Sequence, residues 1–99
     1  MEYPKSIKVG RKRYRVTLAP YAPKRGTMAE VDYRAGTITL GKQSRITNRS
    51  YRTEEMDDSF WHELTHAILH EMGSGLYCDE KFVTKFATLL TKAINSARF

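Results

Sequence analysis

The spacing of apolar residues changes once along the chain, near residue 52. Before it, apolar and polar positions alternate. Ile7 and Val9 alternate with charged neighbours, and Tyr14, Val16 and Leu18 do the same. A period of two is that of a strand with one buried face. Ser6–Val9 and residues 14–18 flank "GRKR" and predict a β-hairpin. "APYAPKRGT", residues 19–27, holds two of the three prolines and reads as loop. Residues 28–33 and 37–40, joined by "RAG", predict two more strands, with Val31, Tyr33, Ile38 and Leu40 supplying alternation and β-propensity. Residues 41–52 are polar, basic and irregular.

After residue 52 the period becomes helical. Thr53 can cap a helix whose first turns hold Glu54, Glu55, Asp57 and Asp58, the charge sign that suits the positive end of a helix dipole. Met56, Phe60, Leu64, Ala67 and Ile68 recur at spacings of three and four, and Gly73 and Gly75 end the helix. A second helix starts at Asp79 or Glu80, with an apolar stripe of Phe82, Val83, Phe86, Ala87, Leu90, Ala93 and Ile94. The joining segment is short, so the helices should be antiparallel neighbours. The expected fold is α+β: a small antiparallel sheet from residues 1–52, packed on two antiparallel helices from residues 53–99, in a single domain.

Composition narrows the function classes. With 99 residues, 40% hydrophobic and 28% charged, the chain is an ordinary small globular domain with a limited core, which a bound metal would help. It has no run of 18 apolar residues to span a bilayer. Its N-terminal stretch lacks an apolar signal core. Cys78 is the single cysteine, so no internal disulfide forms and a reducing compartment, the cytoplasm, is expected. Charge is uneven: residues 1–52 carry 13 Lys and Arg against 3 Asp and Glu, whereas residues 53–99 carry 4 against 8. A basic half points to an acidic partner such as nucleic acid; the plainer alternative is a solvated surface.

The chemistry lies in "HELTHAILHEMG", residues 62–73. Residues four apart stand one above the other on a helix, so His62 and His66 point the same way and can hold one zinc ion. Glu63, beside the first ligand, can take a proton from a zinc-bound water, whose pKa zinc lowers to about 7. This is the HExxH arrangement. On a helical wheel the two histidines lie off the arc of Phe60, Leu64, Ala67 and Ile68, as ligands should and core histidines should not. A catalytic zinc takes three protein ligands. His70 continues the series, but eight residues of helix rise about 12 Å, too far for His62 and His70 to share an ion. The third ligand should therefore come from the second helix, where Asp79, Glu80 and Cys78 are available. Asp79 has a competing role as helix cap, Glu80 has the longer reach, and Cys78 can be a small buried hydrophobe.

"WHELTHAILHEMG" followed by "DEKFVTKFATLL" resembles the small HExxH proteins encoded by bacteriophages and prophages. These are related in pattern to ImmA/IrrE-type and SprT-like minimal zinc peptidases. The resemblance covers roughly residues 56–94. It implies a minimal gluzincin-like site: His62, His66 and Glu80, the glutamate of "EKFV", as zinc ligands, and Glu63 as general base. It also implies a bacterial host cell, a protein or peptide substrate, and a sheet edge that aligns it, expected at residues 37–40. Tyr51, Tyr77 and His70 are candidates for stabilising the oxyanion. The competing expectation is a non-catalytic, zinc-stabilised module that binds nucleic acid or a host protein through its basic half.

Overall fold

A computed structural model describes residues 1–99. Strands β1 (Ser6–Val9), β2 (Lys12–Ala19), β3 (Ala29–Asp32) and β4 (Thr37–Gly41) precede helix α1 (Thr53–Glu71). A 3₁₀ turn, Gly75–Cys78, then leads into helix α2 (Glu80–Ser96). The architecture is the expected α+β, with the sheet built from the N-terminal half.

The sheet is mixed, not wholly antiparallel, and its order is β1-β2-β4-β3. The β1–β2 and β3–β4 pairs are antiparallel, while β2 and β4 run parallel with Val16 opposite Ile38 and Leu18 opposite Leu40. The reason lies in which strand can occupy the centre. Both inward residues of β4, Ile38 and Leu40, are completely buried, as a central strand requires. The 20–28 loop therefore carries the chain past the position of β4, and β3 forms the edge. The expectation that residues 37–40 form a sheet edge is corrected: β4 is paired on both sides, and the edges are β1 and, beside β4, β3.

Close packing at the crossover depends on Gly41. A Cβ placed there would lie 2.6 Å from the Ala22 main-chain nitrogen. The tight β3–β4 turn ends on Gly36, whose φ of +71° suits glycine, with Asp32 Oδ1 accepting from Ala35 N at 2.8 Å.

One face of the sheet packs on α1. Phe60, Leu64 and Ala67 meet Val9, Tyr14, Ile38 and Leu40 in the main core. Tyr14 is fully buried, and its hydroxyl donates to Glu71 at 2.7 Å. Buried Asp57 accepts from the Tyr3 hydroxyl at 2.6 Å. These bonds satisfy polar groups that burial would otherwise leave costly. The opposite face of the sheet carries Lys8, Arg13, Arg15, Thr17, Thr37 and Thr39, matching the alternation read from sequence.

The start of α1 differs from expectation by one residue. Arg52 rather than Thr53 is the cap, and the Glu55 carboxylate reaches back to the Arg52 main-chain N–H at 2.9 Å. Hydrogen bonds from Arg49, first, and from Arg52 hold the Glu55 carboxyl down at about 2. The helix ends at Gly73, φ +74°, where Ser74 N donates to Leu69 O and Gly73 N to His70 O, both at 3.0 Å.

Helix α2 packs on the side of α1 away from the sheet, in the opposite direction. Its contact edge is Val83, Ala87 and Thr91, all buried. This corrects the predicted stripe. Phe82, Phe86 and Ile94 are exposed, because α1 covers only one narrow side of a helix whose apolar arc is wider.

Candidate metal centre

Helix geometry alone brings His62 and His66 together, with ring centroids 4.9 Å apart. Bringing up a third group takes the whole turn after α1. Gly73 reverses the chain, and the Gly75–Cys78 turn lays Tyr77 against His66. The His66 Nδ1 then donates to the Tyr77 carbonyl oxygen at 2.6 Å. That bond fixes the tautomer and leaves Nε2 as the electron-pair donor, the orientation a metal-ligating histidine normally has.

Asp79 and Glu80 divide the next two tasks. The Asp79 side chain accepts from Phe82 N at 3.0 Å and caps α2. Glu80, the first residue of α2, points back at α1. Its Oε1 lies 2.5 Å from His62 Nε2, and its Oε2 lies 3.1 Å from His66 Nε2. Ligand atoms of His62, His66 and Glu80 all fall within 4.8 Å of one another. A tetrahedral zinc with bonds of about 2.0–2.2 Å would hold neighbouring ligand atoms roughly 3.3 Å apart, so the three groups could take up the ion with small side-chain movements. The donor set, two imidazoles and a carboxylate, suits zinc and leaves a coordination position free. Cys78 lies outside the cluster; it is exposed, and its thiol donates to Gly75 O at 3.3 Å.

Glu63 sits between the histidines in sequence but on the neighbouring face of α1, almost completely buried at 9% exposure. Its carboxyl makes no hydrogen bond to the protein and lines the same cleft as the cluster. Burial raises it above the ordinary carboxylate range, and the His62 and His66 imidazoles oppose that rise. Burial also acts upward on Glu80, but the His62 hydrogen bond and both imidazoles bring its carboxyl below the usual value.

The cleft has a volume of about 630 Å³, within the usual range for a ligand site. Met28 and the β3 residues Ala29, Glu30 and Val31 form one wall, and α1 forms the other. Lys24 and Glu30, 3.6 Å apart, stand at the cleft as an ion pair.

The structure also locates the three residues considered for oxyanion stabilisation. Tyr51 lies in the segment before α1, with its ring beneath Arg49, and does not line the cleft. Tyr77 lines it, and its carbonyl holds His66. His70 is outside the cluster and stacks on the Tyr33 ring at 4.1 Å.

Tyr33, expected from its alternation only as the end of a strand over residues 28–33, is a further residue of the site. It stands in the turn after β3, between His70 and Tyr77, and lines the cleft with Glu63. Its hydroxyl makes no hydrogen bond to the protein. Desolvation, with Glu63 nearby, pushes its pKa up to about 12, so it remains a proton donor. No spacing relates Tyr33 to HExxH; only the path of the β3–β4 turn brings it to the site.

Comparisons with protein-family models, with characterised proteins and with solved structures give no match.

Proposed function

We propose that the protein is a minimal zinc-dependent metallopeptidase of gluzincin-like type, with His62, His66 and Glu80 as zinc ligands and Glu63 as general base. The observation that carries this reading is the convergence of those three side chains in a cleft that Glu63 also lines, although Glu80 is 14 residues beyond His66. A structural metal site would need no free, buried carboxylate beside it.

Zinc held there would supply Lewis acidity, polarising a substrate carbonyl and making a water molecule acidic near neutral pH. Each residue then has a definite part. An extended peptide adds to the open edge of β3 by main-chain hydrogen bonds and is held with its carbonyl at the cluster. Glu63 takes the proton from the attacking water and delivers it to the leaving amine. The Tyr33 hydroxyl donates to the oxygen on which negative charge develops. The Tyr77 carbonyl keeps His66 in its ligating tautomer.

The decisive experiment pairs metal content with turnover of a quenched fluorescent peptide mixture. Purified protein should hold one zinc per chain, and Glu63→Gln should keep that zinc while cleavage disappears. Cleavage that survives in Glu63→Gln would remove Glu63 from the role. A native protein that takes up no zinc on reconstitution would remove the metal centre.

One observation favours a second reading, a zinc-stabilised module that binds nucleic acid or an acidic host protein. Lys8, Arg13 and Arg15 share the open face of the β1–β2 hairpin, Lys5 and Arg11 flank it, and none of the five is in an ion pair. Affinity for a short DNA duplex that falls steeply with salt, and that Arg13→Ala with Arg15→Ala weakens, would support it. Such binding is compatible with a peptidase that acts near nucleic acid.

A further inference from the structure

The structure assigns a second site to the protein: an apolar groove between α1 and α2 that docks an acidic amphipathic helix from a partner protein. The groove has a volume of about 370 Å³. Trp61, Ile68 and Met72 of α1 form one wall, and Phe82, Phe86 and Leu90 of α2 form the other. It shares no residue with the cleft that holds the His62–His66–Glu80 cluster, so it stands apart from the metallopeptidase reading.

Four faces of α1 explain the position. Phe60, Leu64 and Ala67 meet the sheet, His62 and His66 reach Glu80, and α2 covers a third side. Trp61, Thr65, Ile68 and Met72, spaced by four, three and four, make up the remaining face; Thr65 is buried at its floor, while Ile68 and Met72 stay exposed. Those eleven residues of rise span about 16 Å, which suits roughly three turns of a guest helix. On α2 the apolar arc continues outward through Leu89, 59% exposed, and on α1 the groove ends at Met72, 71% exposed.

The amount of exposed surface bears on the occupant. At the groove itself Ile68 is 42% exposed, Met72 71%, Phe82 38% and Phe86 47%, a patch on the order of 400 Å² and of the size that marks interaction sites on soluble monomers. A stable dimer buries about 800 Å² on each partner, so the groove is small for a self-association face and adequate for a single helix.

Charge decides the partner's character. Lys81, Lys85 and Lys92 project along α2 within an arc of roughly 40° at about 100° per residue, next to Leu89 and Phe82. All three are exposed and none is in an ion pair. A guest helix with leucine-like residues on one face and carboxylates beside them would fill the groove and meet the lysine row. A symmetric pairing of two α2 helices would bring two such rows together, which costs affinity.

Trp61 is the only tryptophan, so its emission reports on the groove directly. Two fourteen-residue helical peptides with identical leucine spacing, one with glutamate and one with lysine at the polar positions, would be titrated into the full chain. The glutamate peptide should shift Trp61 emission and bind at least tenfold more tightly at low salt, with the advantage shrinking as salt rises. Phe86→Asp should weaken its binding at least tenfold, and Lys85→Glu combined with Lys92→Glu should reverse the preference. These residues are exposed and outside the metal cluster, so both variants should keep their helical circular dichroism and metal content. Equal affinity for the two peptides, or no response to the glutamate peptide, would overturn the assignment. So would a free protein that sediments as a dimer and becomes monomeric with Phe86→Asp, which would give the groove to a second copy.

Discussion

At the scale of single residues, adjacent side chains divide the work at the start of α2. Asp79 accepts from Phe82 N, while Glu80 reaches His62 and His66. Glu80→Ala should therefore abolish zinc uptake, whereas Asp79→Ala should keep the metal and lose about 1 kcal/mol of stability as a removed helix cap. Metal analysis and urea unfolding of the two variants separate the roles; equal loss of zinc in both would undo the division. Tyr33 offers a finer test. A hydrogen bond made only as charge develops affects kcat and not KM. Tyr33→Phe should accordingly lower kcat about 100-fold with KM nearly unchanged. A rise in KM alone would make Tyr33 part of ground-state binding.

At the scale of elements, the sheet is arranged to leave β3 at the edge of the cleft. That arrangement rests on the 20–28 crossover, where β4 and the loop approach so closely at Gly41 that no side chain fits. Gly41→Ala forces main-chain atoms apart and should cost about 1–3 kcal/mol. Because the strain falls on the loop leading to β3, peptide turnover should fall further than metal affinity. Thermal unfolding and metal titration of this variant give the comparison; an unchanged melting temperature would mean that the loop yields without cost. Helix α1 is the other organising element, since one rigid rod carries core residues, the two histidines of the candidate metal cluster, the buried Glu63 and a wall of the apolar groove.

At the scale of the whole molecule, the sheet, α1 and α2 lie in sequence, and the candidate metal cluster joins α1 to α2 near the start of α2. The buried contact between the helices is otherwise narrow, limited on α2 to Val83, Ala87 and Thr91. A metal tying His62 and His66 to Glu80 would therefore reinforce a modest interface. A ligand present at about 100 times its Kd stabilises the folded state by about 2.7 kcal/mol. For a domain of this size, chelation should then lower the melting temperature by about 10–20 °C. The Glu80→Ala variant should show no further drop; a chelator effect that persists there would place the metal elsewhere.

What could be read from the sequence was local. The strands and helices were legible because each shows its own period, and one-sided burial imposes that period on consecutive residues. His62, Glu63 and His66 were legible because a single helix fixes their relative positions. The mixed strand order was not, since the same alternation fits several pairings and only competition for the buried centre of the sheet placed β4 between β2 and β3. The outward-facing half of the α2 stripe was not legible either: an apolar arc has no mark for which part a neighbour will cover. The choice of Glu80 over Asp79, the arrival of Tyr33 and the β3 edge of the cleft all depend on where loops return the chain. Short-range spacing therefore sets the elements and one wall of the candidate site, through contacts within a few residues. The third member of the cluster, the opposite wall and the open groove come from the packed fold, because these join groups whose distance in space is set by packing and not by spacing along the chain.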